Sequence, residues 1–276
     1  MDPDLALLRD LVATPSVTGD TDRAVEVFVQ HCRKRGFDEA FRDEAGNAVA
    51  VAGRGPREIL LVGHVDTVAP PLPARLEDGV LWGRGAVDAK GPLAAFVEAA
   101  SAFVGSTTHR VVVVGACDEE GESLGARHLI SRHRPEALVI GEPSGVDGAT
   151  IGYKGIVKIR YRLEDDQLHA GAPHPSVPDR ALAFWTAAQS WLAQHHGPSL
   201  FEMPTIKLNE FTTTLLPSGR VEVRLSGSAR TPPGFDVPAF LAFLQARAGP
   251  ADLELPEWAP AWLGDKNAPL TRAFIA

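Results

Sequence analysis

Short, almost entirely apolar runs constrain the fold of this chain more than any other feature. Residues 59–62, 111–117 and 137–140 are such runs, and residues 48–52 form a fourth after a Gly46-Asn47 turn. Strands that are covered on both faces have this continuous apolar character. Helices are predicted between and before them, beginning near residues 5, 22, 92 and 125. Buried strands that alternate with helices predict an α/β sheet with both faces covered.

The pattern changes after Tyr153. Apolar and charged residues alternate over 155–163, which is typical of a strand with one solvated face. The elements predicted next are a helix at 179–196, strands at 204–211 and 220–229, a helix at 237–248 and a strand at 252–255. The order β-α-β-β-α-β predicts a ferredoxin-like α+β module, inserted into the first domain. The predicted domains are therefore 1–153, 154–256 and a return segment at 257–276, where we expect the chain to stop before its first domain is complete.

Composition excludes several classes of function. The net charge is −8, from 27 basic and 35 acidic residues, and dense Lys/Arg runs are absent, so a nucleic-acid partner is not expected. The sequence contains no apolar run of membrane-spanning length and no signal-peptide pattern. Its two cysteines, Cys32 and Cys117, lie far apart in apolar contexts, as buried thiols do. These features predict a cytoplasmic protein.

Polar residues follow the ends of the predicted strands, which is where open α/β sheets bind ligands. His64 and Asp66 are two residues apart, so in an extended backbone they point the same way. A metal-bound imidazole usually donates its other N–H to a carboxylate or carbonyl, and Asp66 could accept it. The alternative is a core histidine beside a capping aspartate.

Three further acidic positions follow the same pattern. Asp88 lies among glycines at 83–91, as a ligand or as the N-cap of a helix. Asp118, Glu119 and Glu120 follow a hydrophobic strand, where they repel one another unless a cation neutralises them, or where they form a solvated acidic turn. Glu142 follows the strand at 137–140, as a ligand or as an ordinary loop residue. Together, one histidine and several carboxylates favour a Zn²⁺, Co²⁺ or Mn²⁺ site, and a bridging carboxylate would suit a two-metal hydrolase.

Four motifs, in order, resemble those of the M20 metallopeptidase/deacylase family. They are GHVDTV at 63–68, GRGAVDAKG at 83–91, DEEG at 118–121 and GEPS at 141–144. The resemblance implies a mixed-sheet α/β metallohydrolase catalytic domain with an inserted ferredoxin-like lid and dimerisation domain. A narrower resemblance is to family members that release lysine or ornithine from the amino-group carrier protein LysW. It is carried by WGRGAVDAKGPLA at 82–94, GEPSG at 141–145 with GYKG at 152–155, and RTPPG at 230–234.

The resemblance also implies a role for each motif residue. The metal ligands would be His64, Asp88, Glu120 and Glu142, with Asp88 bridging two divalent ions, Zn²⁺ or Co²⁺. Glu119 would be the general base, and Asp66 would orient His64. His169 would match a lid histidine that reaches a neighbouring subunit's site, unless it is an ordinary exposed loop residue. The family's C-terminal histidine ligand has no counterpart after Ala268, so we expect a weak second metal site.

These observations predict a di-metal amidohydrolase that releases lysine or ornithine from LysW and forms a homodimer through the lid. A deacylase or dipeptidase acting on small N-acylated amino acids is the alternative within the family. Outside enzymes, the alternative is an inactive fragment or a dimerisation module.

Overall fold

The computed structural model describes residues 5–145, 147–169, 171–195 and 197–275. The chain divides into two compact units, Met1–Val146 and Asp147–Ala276. The predicted return of residues 257–276 to the first domain stays a prediction.

The described residues of the first unit form two helices, then five strands, and then helices and strands in alternation. In chain order they are α1 (Ala6–Ala13), α2 (Asp22–Lys34), β1 (Glu39–Arg42), β2 (Ala48–Ala52), β3 (Arg57–His64), β4 (Arg75–Glu77), β5 (Val80–Trp82), α3 (Lys90–Ser101), β6 (His109–Ala116), α4 (Leu124–Ile130) and β7 (Ala137–Ile140).

The first unit is built on a five-stranded mixed sheet with the order β1-β2-β6-β3-β7. Strand β3 runs parallel to both β6 and β7, with His64 opposite Ala116 and Val62 opposite Ile140. The pairs β1–β2 and β2–β6 are antiparallel. Because β3, β6 and β7 point the same way, the residues that follow their carboxyl ends meet at one edge of the sheet.

Both faces of this sheet are covered by side chains, which explains the continuous apolar runs. On one face the core includes Leu11, Phe28 and Leu93 from helices α1, α2 and α3. On the other face Val112 and Val114 pack in a cluster that includes Leu129 of α4 and Leu60 of β3. Burial of alternate residues on opposite faces is what a strand geometry of period two produces.

Three short strands of this unit were not predicted from the sequence. Strand β1 lies at the sheet edge and buries one of its four residues, so its composition carries no strong strand signal. Strands β4 and β5 form a two-stranded hairpin of three residues each, mostly exposed. Segments this short fall below the window in which periodicity can be read.

The second unit begins with two strands and ends with a short helix. In chain order its elements are β8 (Gly152–Tyr153), β9 (Gly155–Asp166), α5 (Val177–Leu192), β10 (Thr205–Leu215), β11 (Arg220–Thr231), α6 (Val237–Ala248), β12 (Asp252–Glu254), β13 (Trp258–Ala259), β14 (Trp262–Leu263) and α7 (Pro269–Phe274).

The predicted ferredoxin-like order is present in the second unit as β9-α5-β10-β11-α6-β12. Its sheet has the spatial order β10-β11-β9-β12 with antiparallel pairs, and β13 also pairs with β9. One face packs on the two long helices through residues such as Tyr161, Trp185 and Phe240. Helix α5 begins two residues before the predicted start, because Ser176 and Asp179 form a capping box. His196, at the end of the predicted helix, lies outside the described residues.

The fold class inferred from the sequence is confirmed: the chain is α/β with a mixed sheet. Within the residues that the structure describes, none of the helices combines the length and apolar character needed to cross a membrane. Cys32 and Cys117 are both buried free thiols.

Candidate metal centre

His64 ends strand β3, and its side chain is 1% exposed. Its Nδ1 atom lies 2.8 Å from the carbonyl oxygen of Asp66, and its Nε2 atom lies 2.9 Å from Oδ1 of Asp88. Because a carbonyl oxygen can only accept, Nδ1 carries a proton there, and in the neutral ring Nε2 presents its lone pair toward Asp88. This is the tautomer that a metal-binding imidazole needs.

The carboxylate of Asp66 makes its hydrogen bonds to groups other than His64. Its oxygens lie 3.6 Å or more from His64 Nδ1, so the ring is oriented mainly by the Asp66 carbonyl. The carboxylate instead accepts from the backbone N–H groups of Glu119 and Glu120, at 3.1 and 3.2 Å, and from the Thr18 hydroxyl at 2.9 Å. Burial opposes ionisation, but these hydrogen bonds and His64 lower the pKa of Asp66 below its usual value.

Asp88 lies on a glycine-rich turn just before helix α3. Gly85 of this turn has φ +82°, and an added Cβ there would lie 2.9 Å from Thr67 and 3.0 Å from Lys90. Lys90 is 1% exposed, and its Nζ donates to the carbonyl oxygens of Leu11 and Thr14, both at 2.9 Å. The glycine and the buried lysine thus fix the turn that carries Asp88 against the end of α1.

Glu119 and Glu120 lie in the turn between β6 and α4. Oε2 of Glu119 lies 4.0 Å from His64 Nε2. Asp118 and Ser123 of the same turn have φ of 63° and 55°, values that non-glycine residues seldom adopt outside strained functional turns. The Asp118 carboxylate stabilises this backbone by accepting from the N–H groups of Glu122 and Leu124.

Glu142 follows the edge strand β7 and is half-buried. Its Oε1 lies 3.9 Å from His64 Nε2. Strand β7 pairs with β3 in parallel, so the chain leaves both strands at the same sheet edge. The register of the sheet therefore brings Glu142 to His64 across 78 residues of sequence.

Two groups of side chains have the donors and spacing that a metal ion requires. His64, Asp88 and Glu120 form one group, and His64, Glu119 and Glu142 form the other; within each, the candidate ligand atoms lie within 4.8 Å of one another. One imidazole with several carboxylates is a donor set that suits Zn²⁺ or Co²⁺.

The electrostatics of the cluster also fit a cation. Burial and the neighbouring carboxylates raise the pKa of Glu142 to about 7, against the opposing effect of His64. Burial and Glu119 likewise raise the pKa of Glu120. Burial alone would lower the pKa of His64, but its hydrogen bonds to Asp66 and Asp88 outweigh burial and raise that pKa to about 10. A divalent ion would compete with protons for these groups and would reduce the repulsion between the carboxylates.

A cavity of about 370 Å³ opens beside this cluster in the first unit. Asp88 and Glu120 line one part of it, and Trp82, Arg84 and Val87 line another. A substrate placed there would meet an apolar wall and a guanidinium next to the candidate ligands.

The structure thus brings together six of the seven predicted site residues: His64, Asp66, Asp88, Glu119, Glu120 and Glu142. His169 lies in the second unit on an exposed turn, where its Nδ1 accepts from the N–H of Gly171 at 3.1 Å. Its role stays a prediction. Sequence reasoning missed the contacts of Thr18, which lies outside the four motifs, and of Lys90, which lies in the motif at 83–91 but was given no role.

The chain belongs to peptidase family M20/M25/M40, whose family model matches residues 60–264. A protein of Thermococcus kodakarensis named for LysW-lysine and LysW-ornithine hydrolysis is 38% identical over 97% of this chain and 71% of its own length. The LysW-lysine hydrolase of Deinococcus radiodurans is 43% identical over 68% of this chain, and the match spans about half of that protein (52%).

A solved structure of an M20 family metallo-carboxypeptidase from Sulfolobus solfataricus shares the fold. Its TM-score is 0.74 at 14% identity, with 99% of this chain and 82% of that chain covered. The predictions of M20 membership and of a metal-dependent amide hydrolase are confirmed at the level of the family.

Proposed function

We propose that this chain is a two-metal amidohydrolase that releases lysine or ornithine from the carrier protein LysW. The observation that carries the proposal is that one imidazole and four carboxylates come together in the first unit. They come from the ends of three parallel strands and from one glycine-rich turn, and in each ligand group the candidate ligand atoms lie within 4.8 Å of one another. The names of the relatives support the substrate class.

In this proposal four residues hold the ions. His64, Asp88 and Glu142 would form the first site, and Asp88 and Glu120 would contribute to the second. Zn²⁺ or Co²⁺ bound there would lower the pKa of a water molecule and polarise the amide carbonyl. All four residues belong to the two groups of candidate ligands, which supports their choice as ligands, and Glu119 belongs to the second group.

Glu119 is the proposed general base. Its side chain is 41% exposed, so it can reach a water molecule, and its backbone is fixed by the Asp66 carboxylate. Glu119 would take a proton from the attacking water and return it to the departing amine, which is the two-way transfer that amide hydrolysis needs. Asp66 would hold both His64 and Glu119 in register for that transfer.

The remaining expectations belong to the same proposal. The ferredoxin-like unit would serve as lid and homodimer interface, and the enzyme would work in the cytoplasm. His169 would contribute to substrate binding from the lid.

The proposal is tested by assaying hydrolysis with Co²⁺ or Zn²⁺ on three substrates in parallel: LysW-linked lysine, acetyl-lysine and acetylornithine. Preference for the carrier-linked substrate is the expected result. Preference for either acetylated amino acid would replace the proposed substrate with a small N-acyl amino acid. One firmly bound ion per chain and no hydrolysis of any substrate would contradict the proposed activity and favour an inactive fragment.

A further inference from the structure

Asn47 is a buried polar residue that the proposed function leaves without a role. It follows the turn between β1 and β2, outside all four motifs, and is 0% exposed. Polar groups that are buried this completely almost always have hydrogen-bond partners.

Its amide group joins the two ends of the acidic turn. Oδ1 of Asn47 accepts from the N–H of Cys117 at 3.0 Å, and Nδ2 donates to the carbonyl oxygen of Gly125 at 3.1 Å. Cys117 is the residue before the turn, and Gly125 is the second residue of α4. The turn is closed a second time by the Gly125 N–H, which donates to the Cys117 carbonyl at 3.1 Å.

Asp43 fixes which way the amide of Asn47 points. Its Oδ2 accepts from Nδ2 of Asn47 at 2.8 Å, and its Oδ1 accepts from the Asn47 backbone N–H at 2.9 Å. Because a carboxylate can only accept, the amide nitrogen must face Asp43, which leaves the amide oxygen facing Cys117.

The packing at this point leaves no space for another arrangement. A Cβ on Gly125 would lie 2.2 Å from Asn47 Oδ1 and 2.5 Å from the Cys117 carbonyl oxygen. The turn it closes contains two non-glycine residues with positive φ, Asp118 and Ser123, a conformation that persists where its surroundings over-determine it. Asn47 supplies that constraint at the base of the turn, while Asp66 supplies it at Glu119 and Glu120.

We infer that Asn47 is a positioning residue for the metal centre: it sets the base of the turn that presents Glu119 and Glu120, and Asp43 orients it. The inference rests on the proposed function, because Asn47 can position the metal centre only if Glu119 and Glu120 act there. Mutation of a group that hydrogen-bonds to a metal ligand and orients it typically lowers metal affinity or activity by about 10-fold to 100-fold.

The test compares Asn47→Ala with Glu44→Ala. Glu44 lies in the same β1–β2 turn, but its side chain is 78% exposed and faces His128 and Arg132. Circular dichroism establishes folding, the visible absorption of bound Co²⁺ gives affinity and ligand geometry, and backbone hydrogen exchange is measured over residues 117–125.

Asn47→Ala is expected to weaken Co²⁺ binding by about tenfold or more and to lower kcat with little change in KM, whereas Glu44→Ala matches the unchanged protein. Exchange over 117–125 should rise in Asn47→Ala, with residues 111–114 of β6 unaffected.

A folded Asn47→Ala protein with reduced melting temperature but unchanged Co²⁺ spectrum, affinity and exchange over 117–125 would overturn the inference. If Asn47→Ala does not fold, Asp43→Asn decides on the same readouts, because it places an amide nitrogen opposite Nδ2 of Asn47 without removing a side chain. If the unchanged protein binds no Co²⁺, the proposed function fails, and hydrogen exchange alone then decides whether Asn47 holds the turn.

Discussion

The charged side chains of the metal centre and those of the second unit's sheet are arranged in opposite ways. In the first unit, the carboxylates of Asp88, Glu119 and Glu142 surround a single imidazole, that of His64. In the second unit, the strands carry acids and bases side by side: Arg162 and Arg224 both donate to Glu222, at 2.6 and 2.7 Å.

The energetic consequences differ accordingly. Acids and bases that alternate along a strand neutralise one another locally, and pairs of this kind that are exposed to solvent contribute little to stability. Burial and the like charges gathered at one sheet edge raise the pKa of Glu120 and that of Glu142, which is unfavourable unless a cation is bound. We therefore expect the reaction to occur in the first unit, where perturbed carboxylates converge.

The largest effect on activity is expected at Glu119, in the metal centre of the first unit. Glu119→Gln removes the proposed base and keeps the shape of the side chain, so we expect kcat to fall by about 10² to 10⁴, as for loss of a general base. Co²⁺ stoichiometry should not change. Steady-state kinetics and metal analysis check this on the same preparation.

The matched control is Glu122→Gln, in the same turn but with an exposed side chain. It should leave both kcat and metal content as they were. Full activity in Glu119→Gln would show that the base lies elsewhere.

Much of this site could be predicted because its signals are local. His64, Glu120 and Glu142 each follow a recognisable strand, and parallel neighbours place their carboxyl ends together. The apolar runs that predicted the strands exist because both sheet faces are covered.

The rest depends on contacts between residues distant in sequence. Asn47 bonds Gly125 across 78 residues, and Thr18 bonds Asp66 across 48. Nothing in a single sequence distinguishes a buried asparagine with three partners from an ordinary turn asparagine, since Gly-Asn is a common turn pair. For the same reason the sequence did not indicate that the Asp66 carboxylate accepts from the backbone N–H groups of Glu119 and Glu120, because these contacts form only on folding.

A second, smaller effect is expected at Asp66, whose carboxylate stabilises the acidic turn by accepting hydrogen bonds from it. Asp66→Asn keeps one acceptor oxygen and replaces the other with a donor amide, which then faces either the Glu119 N–H or the Glu120 N–H and the Thr18 hydroxyl. Loss of a hydrogen-bonded buried charge should lower the free energy of unfolding by about 1.5–3 kcal/mol. Urea unfolding measures it, with the exposed Asp20→Asn as control. Equal stability in both variants would show that the carboxylate does not hold the acidic turn.

In the second unit, removal of a charge should have a still smaller effect. Arg220 donates to Oε1 of Glu164 at 2.8 Å and to its carbonyl oxygen at 3.0 Å, with its side chain 42% exposed. Arg220→Met should cost about 0.2–1 kcal/mol of stability, a difference that shrinks in 1 M salt. Thermal melts at low and high salt measure it. Co²⁺ affinity should be unchanged, and a weaker affinity would mean that charge in this unit does contribute to the metal centre.

Near neutral pH the smallest effect is expected at Cys32, which tests whether reactivity in the first unit is confined to the strand ends. Cys32 is 0% exposed, and burial raises the pKa of its thiol to about 12. The neutral thiol is therefore favoured in the folded state, so stability is full below the unfolded pKa of about 8.5 and falls as pH rises from there toward 12. At pH 8 the native thiol should not react with a thiol reagent such as DTNB, whereas the unfolded chain should react fully.

Cys32→Ser and Cys117→Ser, measured separately, assign any reaction to one of the two thiols. Rapid labelling of Cys32 in the folded protein would show that its surroundings open. The sheet that carries the metal centre would then not be covered on both faces at all times. Slow labelling at the rate of global unfolding is the expected result, because each face of that sheet is sealed by its own layer of apolar side chains.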